Sequence, residues 1–189
     1  QVVGAGCPQL ILHDSQTADV GPVTLGRIVM AIKAGERMPA GKFKIMGEGK
    51  PQDLTTAQLF DGKRVVLVSV PGAFTPTCSM KHLPGLVTQA SAMRAKGIDT
   101  IACMSVNDVF VMDAWGKSAG VGDQVTMLAD GNGEYSRALG LELDATGFGM
   151  GKRGQRFAIV VDNGVATQVN VEAPGEFKVS AAEYLLGQL

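Results

Sequence analysis

The chain has 189 residues, 46% of them hydrophobic and 19% charged, and its 17 basic against 18 acidic side chains give a net charge of −1. This balance is typical of one soluble globular domain with a substantial core, and the lack of a basic excess excludes a binder of nucleic acid or of anionic membranes. No apolar run of the sequence approaches the length of a transmembrane helix.

Residues 1–29 do not fit the domain pattern that follows them. They hold few charges, and the apolar stretch at residues 10–12 is too short for a secretory signal, which also needs a basic segment before it. Met30 opens a segment that is typical of a natural start. We therefore expect residues 1–31 to be an N-terminal extension, native or foreign to the protein, that is poorly packed or disordered, and residues 32–189 to form the domain.

The first predicted elements of the domain are short. The alternation of Phe43 and Ile45 predicts an edge strand, which is followed by a turn rich in Gly and Pro through Pro51. Residues 54–60 predict one brief helical turn. Residues 65–70 form an apolar, mostly β-branched run, which predicts a buried strand.

Cys78 lies between that strand and a helix. Pro71 and Gly72 stop the strand, and helical spacing then places apolar side chains on one face: Leu83, Leu86, Val87, Ala90 and Met93. The first turn of a helix has unpaired N–H groups and the positive end of the helix dipole, so it favours a thiolate, the nucleophilic form of cysteine. Thr75 can supply a hydroxyl on the same side of the turn, and Pro84 is expected to kink the helix.

Strands and helices alternate over the next part of the chain. Residues 98–106 predict a second buried strand, parallel to the first through a right-handed crossover. A helix is expected after Asn107 or Asp108, either of which can cap it, and residues 125–129 predict a third strand. A short helix over residues 134–139 completes the alternation.

The last part of the chain predicts a hairpin and a closing helix. A Gly-rich loop over residues 147–154 leads to a strand at residues 156–161, and the Asn-Gly pair at residues 163–164 is typical of a type I′ turn into an antiparallel strand. Ser180 and Glu183 fit a capping box for a final helix. The whole order predicts an α/β fold with a central mixed sheet and helices on both faces.

Pro71, Thr75 and Cys78 fit the Pro-x-x-x-Thr/Ser-x-x-Cys pattern of the peroxiredoxins. The longer string Pro-Gly-Ala-Phe-Thr-Pro-Thr-Cys-Ser, followed by His82-Leu-Pro-Gly, closely resembles the type-II, peroxiredoxin-5-like members of the AhpC/TSA superfamily. The resemblance extends from about residue 32 to the end of the sequence. It implies a thioredoxin-like fold and a thiol-dependent peroxidase that needs no cofactor.

The resemblance also implies roles for individual residues. Cys78 is expected to attack hydrogen peroxide or a small organic hydroperoxide and become a sulfenic acid, with Thr75 hydrogen-bonded to the thiolate and to a peroxide oxygen. Arg156, immediately before the Phe of the Arg-Phe-x-x-Val strand, is expected to keep the sulfur ionised and to stabilise the departing oxygen. Arg153 is expected to lie in a flexible loop before that strand.

Four residues are predicted to line the substrate pocket. Pro71, Gly72 and Phe74 are expected to form a collar that keeps bulk water from the sulfur. His82 lies one helical turn after Cys78, so the two side chains can face each other. His82 then tunes the thiolate, contacts a second subunit, or is an ordinary structural histidine.

The other cysteines leave the route of reduction open. Cys103 lies in the middle of an apolar strand, where a small buried core residue is the favoured interpretation and a resolving thiol is the alternative. Cys7 is expected to be incidental. Without a convincing resolving cysteine, we expect glutathione, with or without glutaredoxin, as the reductant, and thioredoxin acting through Cys103 as the alternative. A redox sensor with low turnover is a further alternative.

The number and spacing of the cysteines and histidines indicate the cellular compartment and argue against a bound metal. An odd number of cysteines with no Cys-x-x-Cys pair argues against a disulfide scaffold, so a reducing cytoplasm is the simplest location. The two histidines, His13 and His82, lie far apart, which argues against a metal site. The resemblance implies a homodimer packed near the active-site face, where Trp115 either contributes to the interface or packs in the core.

Overall fold

The computed structural model describes residues 30–189. The predicted extension therefore lies outside the described residues except for its last two, and so do Cys7 and His13. At the start of the described part, the backbone N–H of Ile32 donates a hydrogen bond to the carbonyl of Leu139 at 2.9 Å. Because Ile32 is also buried, the chain joins the core at this residue.

A mixed β-sheet forms the centre of the fold. The strands, in chain order, are β1 (Lys42–Gly47), β2 (Lys50–Thr55), β3 (Arg64–Ser69), β4 (Thr100–Ser105), β5 (Thr126–Ala129), β6 (Glu142–Asp144), β7 (Lys152–Gly154), β8 (Phe157–Asp162) and β9 (Val165–Val171). Within residues 30–189, seven of them join in the order β2-β1-β5-β4-β3-β8-β9, while β6 and β7 pair separately. β4 is parallel to β3, as the sequence predicts, β5 is parallel to β4, and β8 runs antiparallel to β3.

Helices cover both faces of this sheet. They are α1 (Thr56–Phe60), α2 (Leu83–Ala95), α3 (Val109–Ser118), α4 (Glu134–Ala138) and α5 (Ala182–Gln188). Alternate residues of β3 point to opposite faces, so Val66 and Val68 pack with α2, α3 and α5, while Val65 and Leu67 pack with α1 and α4. This arrangement confirms the predicted α/β fold, of the thioredoxin-like kind.

The N-terminal hairpin differs from the prediction. β1 lies between β5 and β2, so the predicted edge position is wrong, and β2 is the edge strand. The turn is made by Glu48 and Gly49, both at positive φ, and Pro51 lies inside β2. An edge strand tolerates proline because one side of the strand has no partner that needs its N–H. The helical turn begins later than predicted, after Thr55, which forms a capping box.

The helix after Cys78 is irregular at the point where the sequence predicts a kink. A π-helical turn, Cys78–His82, precedes α2, and the N–H of Leu83 donates to the carbonyl of Cys78, five residues back. Pro84 is the second residue of α2 and has no N–H to donate. The wider turn shifts the backbone hydrogen bonds by one residue, which accommodates the proline. Four of the five predicted apolar residues are buried: Leu83, Leu86, Ala90 and Met93.

Two local predictions in the last part of the chain are wrong. The Gly-rich loop contains β7, which pairs with β6 in a short ladder that the sequence analysis did not predict. Ser180 does not cap α5, whose N-cap is Ala181 with no side-chain hydrogen bond. The Ser180 hydroxyl instead donates to the buried carboxylate of Glu172 at 2.8 Å. The hairpin prediction is confirmed, with Asn163 and Gly164 both at positive φ.

Candidate functional site

Cys78 lies in the first helical turn after β3, as the sequence predicts. Helical backbone begins at residue 76, and the N–H of Ser79 donates to the carbonyl of Thr75 at 3.0 Å. The side chain of Cys78 has an exposed fraction of 0% and belongs to the core beneath α2 and α3. The sulfur is therefore shielded from bulk water.

Arg156 lies beside Cys78, although 78 residues separate the two in sequence. β8 pairs with β3 so that Phe157 is opposite Ser69, which places residue 156 next to the end of β3 where the chain turns toward Cys78. Arg156 Nη2 donates to Cys78 Sγ at 3.4 Å. A sulfur that accepts a hydrogen bond from a guanidinium is stabilised as an anion.

Arg153 has a different position, and its predicted flexibility is wrong. It lies in β7, where its side chain is half-buried. Its Nε donates to the carbonyl of Met150 at 2.8 Å, and its Nη1 donates to the carbonyl of Val106 at 3.0 Å. These bonds hold Arg153 against the end of β4. Its guanidinium thus bonds to backbone carbonyls, whereas the guanidinium of Arg156 bonds to the sulfur.

The turn before Cys78 is fixed by contacts that the sequence analysis predicts only in part. The Thr75 hydroxyl donates to the carbonyl of Gly72 at 3.0 Å, and no hydrogen bond joins Thr75 to Cys78 Sγ in the described part of the chain. A Cβ atom at Gly72 would lie 3.1 Å from Thr75 Cγ2, so a glycine suits this close approach. The N–H of Ala73 donates to Asn107 Oδ1 at 3.0 Å. Asn107, considered above only as a helix cap, thus anchors the turn, and Asp108 caps α3.

The residues of the predicted collar differ in exposure. Pro71 is half-buried, Gly72 is buried, and Phe74 is 54% exposed at a positive φ of 61°. The Phe74 ring lies 6.4 Å from the ring of Trp115. Trp115 is 1% exposed, and its Nε1 donates to Ser79 Oγ at 3.0 Å, so Trp115 has the core role that was one of its two predicted alternatives.

His82 contacts Arg156 and is completely buried. Its Nδ1 lies 3.0 Å from Arg156 Nη1, and its Nε2 lies 3.0 Å from the carbonyl oxygen of Ser180. Burial, reinforced by the charge of Arg156, lowers the pKa of His82 to about 4. His82 is therefore neutral near pH 7, and its side-chain hydrogen-bond partners are Arg156 and Ser180.

Glu172, Phe177 and Ser180 complete the back of the site, and the sequence analysis did not predict them. Glu172 Oε1 accepts hydrogen bonds from the N–H and the hydroxyl of Ser180, both at 2.8 Å. The Phe177 ring lies 4.9 Å from the ring of His82 and 5.8 Å from Arg156 Cζ. Burial opposes the ionisation of Glu172, yet its hydrogen bonds from Ser180 and Lys178 hold its pKa below the ordinary value. Glu172 directly follows β9, and no local pattern of the sequence distinguishes it from other surface carboxylates.

Cys103 is buried at the middle of β4, opposite Val68 of β3. Burial, with a smaller contribution from the charge of Cys78, raises the pKa of the Cys103 thiol far above its ordinary value. A protonated thiol inside a central strand is a weak nucleophile, which favours the core interpretation over the resolving one.

No cluster of three or more potential metal ligands (His, Cys, Asp, Glu) occurs in residues 30–189. No helix in that range is long and apolar enough to cross a membrane.

The chain is similar to known proteins over most of its length. It matches the protein family described as Redoxin over residues 33–186. It is 48% identical over 159 residues to Peroxiredoxin-2C of Arabidopsis thaliana, covering 84% of this chain and 98% of that protein. It is 45% identical over 166 residues to the chloroplastic Peroxiredoxin-2E of the same plant, covering 86% of this chain and 71% of that protein.

A solved structure shows the same fold. Reduced Prx3 from Vibrio vulnificus, in complex with H2O2, superposes on this chain with a TM-score of 0.80 at 48% sequence identity. The match covers 83% of this chain and 98% of the Vibrio protein.

Proposed function

This chain belongs to the Redoxin family and is a peroxiredoxin, a thiol-dependent peroxidase, and on that basis we propose that Cys78 is the thiol that the peroxide oxidises. The observation that carries the proposal is the hydrogen bond from Arg156 Nη2 to Cys78 Sγ. A guanidinium stays charged at any physiological pH, so it favours the thiolate over the thiol.

The proposed reaction is a displacement on oxygen. The Cys78 thiolate attacks the terminal oxygen of the hydroperoxide, an S–O bond forms, and the O–O bond breaks. The sulfur loses two electrons and becomes a sulfenic acid, while the other oxygen leaves as hydroxide or alkoxide and takes a proton to give water or an alcohol. Arg156 lies where negative charge passes from the sulfur to the leaving oxygen, and it stabilises both.

Thr75 is proposed to orient the peroxide. Its hydroxyl proton is donated to the carbonyl of Gly72, so its lone pairs remain able to accept the O–H of the hydroperoxide. Because Cys78 is fully covered, the peroxide enters when the turn at residues 71–75 opens locally. The collar of Pro71, Gly72 and Phe74 then selects hydrogen peroxide and small organic hydroperoxides over bulky ones.

Glutathione, with or without glutaredoxin, is the proposed reductant. One glutathione thiol condenses with the Cys78 sulfenic acid to give a mixed disulfide and water, and a second thiol, from glutathione or glutaredoxin, exchanges to release Cys78. The position of Cys103 inside β4 supports this one-cysteine route. The alternative is thioredoxin, with Cys103 as the resolving thiol after a larger rearrangement.

A redox sensor that uses the oxidation of Cys78 as a signal, with little turnover, is the alternative function. A sensor consumes one equivalent of peroxide and then stalls, whereas a peroxidase turns over. Steady-state peroxide consumption with glutathione, glutaredoxin and thioredoxin systems in parallel separates these outcomes. Mass spectrometry of Cys78 after one equivalent of peroxide identifies the oxidised species, and turnover with glutathione is the result that we expect.

We also propose a homodimer and a cytoplasmic location. Large apolar side chains are exposed on the elements around Cys78, where a second copy could cover them: Phe74, Met80 and Phe110. Sedimentation analysis tests the dimer.

The cysteine content of the sequence supports a reducing compartment, because an odd number of cysteines does not fit a disulfide-stabilised scaffold. A chloroplast, the location named for Peroxiredoxin-2E, is the alternative.

A further inference from the structure

The two ring nitrogens of His82 have opposite roles that the structure determines. The carbonyl oxygen of Ser180 can only accept a hydrogen bond, so Nε2 of His82 is the protonated nitrogen. The guanidinium of Arg156 can only donate, so Nδ1 of His82 is the unprotonated acceptor. These contacts are compatible with a single neutral tautomer of the imidazole ring.

A neutral acceptor suits the chemistry better than a carboxylate would. A carboxylate at this position would form an ion pair with Arg156 and offset its positive charge where Cys78 needs it. Nδ1 of His82 instead occupies one guanidinium N–H without adding a negative charge. Burial keeps His82 neutral, and Arg156 and Glu172 are the charged side chains that act on it.

The position of His82 is itself anchored. Oε1 of Glu172 accepts hydrogen bonds from the N–H groups of Lys178 (2.6 Å) and Ser180 (2.8 Å), which fixes the Ser180 carbonyl in front of Nε2 of His82. The backbone N–H of Glu172 also donates to the carbonyl of Arg156 at 3.0 Å. One buried residue thus holds both the backbone of Arg156 and the loop that orients His82.

We propose that His82 is a positioning residue of the peroxidase reaction: by accepting a hydrogen bond from Arg156 at Nδ1 and donating one to Ser180 at Nε2, it directs the second guanidinium N–H at Cys78. This inference rests on the proposed role of Cys78. His82 does not touch the peroxide, and it acts by restricting the orientation of Arg156.

Two variants separate the two hydrogen bonds of His82. In His82→Asn, Oδ1 lies the same number of bonds from Cα as Nδ1, so it keeps the acceptor for Arg156 and loses the bond to Ser180. In His82→Gln, Nε2 lies the same number of bonds from Cα as the Nε2 of histidine, so it keeps the bond to Ser180. The acceptor Oε1 of glutamine lies one bond further from Cα than Nδ1, so the acceptor is displaced from its position opposite Arg156.

The second-order rate constant for oxidation by hydrogen peroxide is measured for both variants across the pH range. We expect His82→Gln to lower it about tenfold, which corresponds to the loss of one hydrogen bond to a charged group, and to move its pH profile to higher pH. We expect His82→Asn to stay within about threefold of the wild type with an unmoved profile. Ser136→Ala, which removes another buried hydroxyl on the opposite face of the sheet, is the control with unchanged rate.

Equal losses in the two variants, or no loss in either, would overturn the proposal. Nitrogen-15 NMR of wild-type His82 at pH 7 gives a second measurement that does not depend on how the variants fold. The expected spectrum has a protonated Nε2 and an unprotonated Nδ1, and an imidazolium or the other tautomer contradicts the proposal. Cys78→Ser in the same assay separates the two claims, since a wild type no faster than this variant would refute the proposed function itself.

Discussion

The guanidinium of Arg156, the residue immediately before β8, reaches the sulfur of Cys78 with an Nη2–Sγ distance of 3.4 Å. The antiparallel pairing of β8 with β3 brings the two together, because residue 156 then lies next to the turn that follows β3. The pairing of two central strands therefore determines that Arg156 lies close to Cys78.

Replacing Gly72 with Ala tests the packing of the turn before Cys78. The new Cβ would lie 3.1 Å from Thr75 Cγ2, which forces the Thr75 side chain to shift. We expect the second-order rate constant with hydrogen peroxide to fall by about tenfold, as for a catalytic group displaced by a fraction of an ångström. Gly147→Ala is the matched control, since a Cβ there meets nothing within 4 Å. Equal rates in the two variants would show that the position of Thr75 does not matter.

Acidification is predicted to destabilise the protein through His82. The pKa of His82 is about 4 in the folded chain against an ordinary value of 6.5, so the unfolded chain binds the proton more readily. The free energy of unfolding therefore falls as the pH drops from 6.5 toward 4, and His82 contributes about 2 to 3 kcal/mol of this loss. The carboxylate of Glu172, whose pKa is lowered from 4.5, adds its own loss only below that value.

Urea unfolding between pH 4.5 and 7 measures this dependence. The His82→Asn variant lacks the buried imidazole, so its free energy of unfolding is expected to change less than that of the wild type over the same interval. His13 remains in both proteins and cancels in the comparison. Parallel curves for the two proteins would mean that His82 is not held neutral by the fold.

Replacing Cys103 with Ala tests the one-cysteine route. Peroxide turnover with glutathione is expected to stay within about twofold of the wild type, because Cys103 takes no part in it, while the free energy of unfolding falls by about 1 kcal/mol for the lost core contacts. Turnover is followed by the oxidation of glutathione under steady-state conditions. A collapse of turnover in the folded variant would instead assign Cys103 the resolving role.

The position of Cys78 can be predicted from the sequence because it depends only on residues that are close to it in the chain. The apolar run of β3, the Pro71-Gly72 stop and the helical spacing that follows place Cys78 at a helix start without any tertiary information. The hairpin at Asn163-Gly164 can be predicted equally well, since two adjacent residues determine its turn type.

The position of Glu172 next to Arg156 could not be predicted in the same way. A bulge between Val160 and Val161 shifts the register of β8 and β9 by one residue. In a regular hairpin Val171 would lie opposite Arg156, whereas here the N–H of Glu172 bonds to the Arg156 carbonyl. A one-residue slip exchanges the two faces of a strand, and the local sequence does not reveal it.

The predicted cap of α5 failed for a related reason. Ser180 and Glu183 have the spacing of a capping box, but the Ser180 hydroxyl is used by the buried carboxylate of Glu172. A buried carboxylate needs its hydrogen bonds more than an exposed helix end does, so the tertiary partner takes precedence over the local one.

Arg156→Met tests most directly whether the guanidinium activates Cys78, with Arg64→Met as the control because Arg64 lies at the opposite end of β3 and bonds to the carbonyl of Lys96. Trp115, the single tryptophan of the chain, contacts Ser79 beside Cys78, so stopped-flow fluorescence follows oxidation by hydrogen peroxide. The account predicts that Arg156→Met lowers the second-order rate constant by about a hundredfold or more and that Arg64→Met leaves it unchanged. A folded Arg156→Met protein that reacts within about twofold of the wild type would contradict it.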